Sequence, residues 1–156
     1  MRKSINSTLL LFLLIVDVGA AVRNPRGVIL GLRLGMREEA AHRKLRKIAS
    51  QQKEEKDAEK EGEQEVWLLR DRRLDYLVLM FNHEHQLWFM TVVVRQGSHM
   101  LYSELGDLKR ASKATDGRNY TYTWKVNRSA GQKSYLVVAR GGDPNYLTSW
   151  SISQRL

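Results

Sequence analysis

Cysteine is absent from the 156-residue chain, and proline occurs only twice. The absence of cysteine excludes disulfides, thiolate metal sites and thiol nucleophiles. The sequence also lacks the Gly-x-Ser-x-Gly turn of many hydrolases and the glycine loops that cradle phosphates or dinucleotides. These absences leave few routes to catalysis, so we expect a protein that is not an enzyme and that needs no cofactor.

The charged residues that are present are unbalanced. The chain has 26 Lys and Arg residues against 17 Asp and Glu, which gives a formal net charge of +9. Such a balance favours acidic partners, whether nucleic acid, anionic lipid or an acidic protein. A hydrophobic content of 42% indicates a folded chain. The length fits one ordinary domain or two very small repeats that share a core.

The N-terminal residues have the three-part layout of a secretory signal. MRKSINS is positively charged, TLLLFLLIV is apolar and DVGAAV supplies small residues, so cleavage is predicted after Ala20 or Ala21. The apolar run is shorter than the ~20 residues that a membrane-spanning helix needs. A signal peptide at residues 1–21 predicts a periplasmic or secreted protein and argues against nucleic acid as its partner. An uncleaved N-terminal anchor is the alternative.

The remaining chain divides into a lead-in and two similar halves. Residues 22–34 predict an extended lead-in. Residues 35–98 predict a long helix and three strands, and residues 99–156 predict a shorter helix and three more strands. Polar residues 51–65 are expected to continue the first helix in solvent or to form a mobile loop. The fold class is therefore α+β, with tandem α-β-β-β repeats whose helices pack on an antiparallel sheet.

A local alignment supports the repeat. DYLVLMFNHEHQL, from Asp75, matches SYLVVARGGDPNY, from Ser134, at a constant offset of 59, although two hairpins could also be similar by chance. The alignment places NHEHQ opposite the turn-forming GGDPN. We therefore predict that His83 and His85 lie in a turn, where Asn82 can take the left-handed conformation. As metal-ligand candidates His83 and His85 lack the further ligands that a site requires, so no metal is expected.

Two predicted strands are apolar on both faces, namely DYLVLMF and LWFMTVVV. A sheet with helices on one side needs only one apolar face, so something must cover the second. A chain terminus, a protein partner or a membrane would do so. Tryptophan and tyrosine dominate interface hot spots, although any one of them in a strand is more often a core residue. The candidate partner-binding residues are Trp88, Tyr120, Tyr122 and Trp124.

The sequence also resembles a known family. Gly35-Met36 precedes a helix with an acidic start, and strands around MFNHEHQLWF follow, as in the BamE family of outer-membrane assembly factors. The doubled form is similar to beta-lactamase inhibitor proteins. The likeness covers residues 29–95, with an echo over residues 104–153, and its matching residues include Ile29, Leu32 and Glu39.

This resemblance implies a non-catalytic, two-layer module that binds another protein through its sheet or helix face. One alternative is a basic surface that binds anionic lipid or another polyanion. Another is a small subunit of a membrane complex, anchored by an uncleaved N-terminal segment. The sequence does not predict the oligomeric state.

Overall fold

The computed structural model describes residues 25–55, 64–127 and 134–154, and for residues 51–55 it describes the backbone alone. The predicted signal peptide at residues 1–21 and most of the loop NRSAGQK lie outside these ranges. The elements are β1 (Val28–Ile29), β2 (Leu32–Arg33), α1 (Glu38–Ile48), β3 (Ala49–Glu55), β4 (Gln64–Leu69), β5 (Leu74–Phe81), β6 (Leu87–Val94), two 3₁₀ turns (Tyr102–Glu104 and Leu108–Arg110), β7 (Ser112–Thr115), β8 (Tyr120–Val126), β9 (Tyr135–Gly141) and β10 (Ser149–Gln154).

One antiparallel sheet of eight strands dominates the fold, in the order β3-β4-β5-β6-β10-β9-β8-β7. Each half of the chain contributes a meander of consecutive strands, and the two meanders meet where β6 pairs with β10. Strands β1 and β2 form a separate small hairpin. The fold is therefore α+β, with one helix packed against a large antiparallel sheet.

Helix α1 is shorter than the sequence predicts. Its acidic first turn and basic last turn suit the helix dipole, and it buries Ala41 and Leu45. The helix ends at Ile48, and residues 49–55 form an edge strand that pairs with β4. The prediction of a helix or loop over these residues is therefore wrong. An edge strand needs backbone partners on one side only, and a polar sequence keeps its free edge from pairing with other chains.

The second predicted helix is not a helix. Its segment contains two 3₁₀ turns, Tyr102–Glu104 and Leu108–Arg110, followed by strand β7. Gly106 separates the turns and lies so close to Pro25 that an added Cβ would stand 3.0 Å from the proline Cδ. Asp107 then starts the second turn, because its carboxylate accepts the backbone N–H of Lys109. This close packing and local capping interrupt the helical spacing.

The strand register divides the sheet into a covered face and an open face, since side chains alternate along each strand. The core cluster combines the covered face with residues from α1, from the β1–β2 hairpin and from the first 3₁₀ turn, such as Leu45, Leu32 and Tyr102. One row of paired residues crosses the covered face: Trp67, Leu77, Val92, Trp150, Ala139 and Tyr122. The helix, hairpin and turn therefore all pack on the same side of the sheet.

In the central strands, residues 60 apart lie on the same face of the sheet, whereas residues at the aligned offset of 59 lie on opposite faces. Leu77 pairs with Val92, and Val137 pairs with Ile152, all four on the covered face. The offset of 59 instead matches buried Leu77 with half-buried Leu136, which faces the other side. A shift of one residue exchanges the faces of a strand. The ungapped alignment therefore pairs positions that lie on opposite faces of the sheet.

The segment NHEHQ forms the turn between β5 and β6, which confirms the prediction for its place. The side chain of Asn82 accepts the backbone N–H groups of Glu84 and Gln86. The left-handed residue is His85, with φ of 55°, and not Asn82 as expected. Asn82 therefore stabilises the turn through its side-chain hydrogen bonds, and the residue with positive φ comes three positions later, at His85.

Candidate functional site

The open face of the sheet carries a broad set of apolar side chains. Three rows of paired residues cross it, and their larger members are all half-buried. None of these larger residues belongs to the core cluster or packs against it. They are Val66, Val78 and Val138 in one row, Leu68, Tyr76 and Val93 in the next, and Met80, Phe89 and Leu136 in the third. The described parts of α1, the β1–β2 hairpin and the first 3₁₀ turn instead contribute to the core cluster on the covered face.

Strand β10 gives the open face a polar floor. It contributes only Ser149, Ser151 and Ser153 to this side, because Trp150 and Ile152 point into the core. Larger apolar residues stand on both sides, on β6 and on β9. The face is therefore lower along β10 than along its two neighbours, and Ser151 at its centre is only 7% exposed.

Positive charge borders this apolar surface. Arg140 and Lys125 are exposed and belong to the rows that cross the open face. From β4 across to β8 the three rows contain no carboxylate, and Glu55 stands only at the far end of the third row, on β3. No described acidic residue forms a salt bridge with either cation. An apolar centre beside free cations suits a partner with an apolar patch and nearby carboxylates.

The four aromatic candidates separate into two groups. Trp124 is 1% exposed and Tyr122 is 7% exposed, and both belong to the core. The indole of Trp124 donates to the carbonyl of Asp107 at 2.9 Å, which fixes it beneath the second 3₁₀ turn. Tyr120 is half-buried against the core. Only Trp88 lies away from the core, where its ring centroid is 5.8 Å from that of Phe89 on the open face.

The two histidines of the turn also behave differently. His83 is exposed and has no described hydrogen-bond or ring partner. His85 Nδ1 lies 2.7 Å from Glu38 Oε2 and so connects the turn to the start of α1. His99 stacks edge-on against Tyr146, with centroids 5.0 Å apart, at another part of the surface. The structure therefore does not bring His83 and His85 onto a common ligand point.

The sequence predicted strands that are apolar on both faces, but it did not predict which of their residues form the open face. Most of the open face consists of aliphatic residues such as Val78, Val93 and Leu136, which carry no motif. The available signal was the apolar pattern on both faces of β5 and β6. The strand register is needed to show which of these apolar positions lie together on one side of the sheet.

Comparisons with protein-family models, with curated proteins and with solved structures find no match. In the part of the chain that the structure describes, no helix has both the length and the apolar character needed to cross a membrane.

Proposed function

We propose that this protein is a non-catalytic binding module that holds a partner protein on the open face of its sheet. The proposal rests on one observation: half-buried apolar residues on β4, β5 and β6, and again on β9 beyond the serines of β10, that do not belong to the described core. Contiguous apolar surface of this kind is unusual on a monomer and is typical of interaction sites. Trp88 and Phe89 supply the aromatic anchors, since interface energy concentrates in such residues.

The partner we propose presents an apolar segment flanked by carboxylates. The apolar part would lie along the serine floor of β10, between the larger side chains of β6 and β9. The carboxylates would meet Arg140 and Lys125, which form no salt bridge with a described acidic residue. Opposite charges at the border of an interface speed association and select the partner.

Export and the resemblance to BamE-like and beta-lactamase-inhibitor-like modules belong to the same proposal. A signal at residues 1–21 would place the protein in the periplasm or outside the cell, among protein partners rather than nucleic acid. The resemblance would add that such modules use their sheet or helix face for binding.

We also propose that the two halves are diverged repeats. Supporting contacts occur twice: Leu87 N–H donates to Met36 O at 2.8 Å, and Leu147 N–H donates to Met100 O at 2.9 Å. Each contact joins the residue after a hairpin turn to the segment before a helix or 3₁₀ turn. The offset from Leu87 to Leu147 is again 60.

The proposed surface can be tested by capture and then with pure components. Extract from the protein's own source is passed over the native chain, Trp88→Ser, Val93→Lys and Tyr146→Ser. Tyr146 is 37% exposed but lies outside the open face, so it is the control for loss of an exposed aromatic residue. We expect a protein that the native chain and Tyr146→Ser retain and that the other two variants lose.

Binding of the purified partner should then weaken by at least about tenfold in Trp88→Ser, the usual effect of removing an aromatic anchor. It should also weaken as salt rises, because Arg140 and Lys125 would no longer attract the carboxylates. Retention that survives both Trp88→Ser and Val93→Lys would contradict the proposal. Binding of anionic vesicles instead, sensitive to the same variants, would assign the face to lipid.

A further inference from the structure

A cluster of histidine and carboxylate side chains joins helix α1 to the covered face of the sheet. Glu38 and His42 lie one turn apart on α1, and Glu65 lies on β4. Residues four apart on a helix point the same way, so Glu38 and His42 converge on Glu65. The ligand atoms of the three side chains all lie within 4.8 Å of one another.

Glu65 is the buried centre of this cluster. It is 6% exposed, and its carboxylate accepts the indole N–H of Trp67 at 2.8 Å. His42 Nε2 lies 2.9 Å from each of its two oxygens. The imidazole is itself held between aromatic rings, with its centroid 5.5 Å from that of Trp67 and 5.9 Å from that of Phe81. A carboxylate buried in this way is costly unless positive charge compensates it.

The compensation within the cluster is incomplete. Two carboxylates, Glu38 and Glu65, approach one point, and their described salt bridges are to histidines alone. No described lysine or arginine pairs with either, although the chain contains 26 of these cations. Each carboxylate thus has only a histidine opposite it, His42 for Glu65 and His85 for Glu38, and a histidine carries charge only when it is protonated. A divalent cation would balance both carboxylates at once.

We infer that Glu38, His42 and Glu65 form a divalent-metal site that binds Zn²⁺. His42 Nε2 and one oxygen from each glutamate are the protein ligands, and a water molecule can take the fourth position. Neighbouring ligands of a tetrahedral Zn²⁺ with bonds of about 2.1 Å stand roughly 3.4 Å apart. The 2.9 Å between His42 and Glu65 therefore needs to widen only slightly. The imidazole ligand disfavours Mg²⁺ and Ca²⁺, which prefer oxygen alone.

His85 is the positioning residue of this site. Its Nδ1 lies 2.7 Å from Glu38 Oε2, which leaves the other oxygen of Glu38 for the metal. Its carbonyl accepts the backbone N–H of Glu38 at 2.9 Å, so the turn also fixes the first residue of α1. Hydrogen bonds of this kind to a ligating group orient it and strengthen metal binding. The metal would thus join α1, β4 and the β5–β6 turn.

The direct test is calorimetric titration of the untagged, chelator-treated full chain with Zn²⁺. We expect one Zn²⁺ per chain and a melting temperature that rises with Zn²⁺ but not with Mg²⁺, because a ligand of the folded state stabilises it. Glu38→Gln removes one ligand charge at a half-buried helix position and should weaken binding by at least about tenfold. Glu39→Gln, at the next and exposed position, should bind as the native chain does.

Two further variants complete the test. His42→Gln should abolish binding, and if it fails to fold, Glu38→Gln decides the question alone. His85→Asn should weaken binding by about tenfold, without changing the stoichiometry, as expected for an outer partner. No Zn²⁺ uptake by the native chain would overturn the assignment. So would uptake that persists in Glu38→Gln but disappears in the double variant His83→Ala and His99→Ala, since it would place the ion on surface histidines.

Discussion

The contact between Gly141 and Tyr102 shows how much one missing methyl group can decide. Gly141 ends β9, and an added Cβ would lie 2.7 Å from the Tyr102 hydroxyl and would also meet the carbonyl of Tyr146. The hydroxyl donates to the carbonyl of Tyr120 at 3.2 Å and cannot move away without losing that bond. Burial, with smaller effects from Tyr122 and Asp143, raises the pKa of Tyr102 to about 12.

Gly141→Ala should therefore destabilise the protein by about 1–3 kcal/mol, the usual cost of overpacking a tight site. Gly142→Ala is the matched control, because the atom nearest to its added Cβ, the carbonyl oxygen of Arg118, would stand 3.7 Å away. Urea unfolding of both variants measures the difference. Equal stability of the two would contradict the close packing at Gly141.

Residue type alone does not separate binding residues from core residues in this chain. Trp88 and Trp124 are both strand tryptophans, yet one lies beside the open face and the other is 1% exposed. Sequence reasoning grouped them because composition and spacing treat them alike. The separation depends on the bulge in β6 and on the second 3₁₀ turn over β8, which are set by contacts distant in sequence.

At the scale of elements, the first 3₁₀ turn is tied to the β4–β5 turn by Glu104. Its carboxylate accepts the backbone N–H of Leu101 at 2.9 Å, and both of its oxygens lie 2.8 Å from Arg73 Nη2. Partial burial raises the pKa of Glu104, but the Leu101 N–H and the Arg73 guanidinium lower it more. The net pKa is therefore below the ordinary value of 4.5.

This lowered pKa predicts a pH-dependent contribution to stability. Because the folded-state pKa lies below the unfolded one, the contribution is present above pH 4.5 and is lost as the pH falls through the folded-state value. Glu104→Gln should cost about 0.5–1 kcal/mol at pH 7, the scale of a partly exposed ion pair. The cost should shrink at acidic pH, as measured by urea unfolding of the native and variant chains.

Exposed Glu84→Gln, in the β5–β6 turn and outside any helix, is the control for this pH series, and its stability should follow that of the native chain. A cost of Glu104→Gln that stays constant with pH would mean that packing, and not charge, holds the turn.

The edge strands β3 and β7 show why the sequence does not predict the boundaries of these elements. β3 reads ASQQKEE and β7 reads SKAT, and neither has the apolar alternation that marks a strand. Each is extended because a neighbouring strand supplies its backbone partners, β4 for β3 and β8 for β7. Inner strands such as β6 carry their own apolar signal, so their existence was predictable.

At the scale of the whole molecule, a charged substitution should destabilise the protein far more on the covered face of the sheet than on the open face. Val92 is fully buried on the covered face, and the next residue, Val93, is half-buried on the open face. Val92→Lys should prevent folding or cost about 4 kcal/mol or more, because it buries an unpaired charge. Val93→Lys should cost no more than about 1 kcal/mol, as is usual for a surface change.

Circular dichroism and urea unfolding would measure both variants, and binding of a hydrophobic dye would report the open face. Dye binding should fall in Val93→Lys, because a charge interrupts the apolar surface. Severe destabilisation by Val93→Lys would mean that a segment of the chain covers the open face, and the proposed binding surface would then be lost.

The sequence by itself determined the α+β class, the place of the β5–β6 turn and the presence of strands with two apolar faces. These properties follow from local composition and from alternation along a strand, which neighbouring residues set. Only the tertiary structure decided which apolar positions remain uncovered. It also brought His42 and Glu65, which are 23 residues apart, within hydrogen-bonding distance. Such pairings depend on strand register and on how α1 docks, and neither leaves a local trace in the sequence.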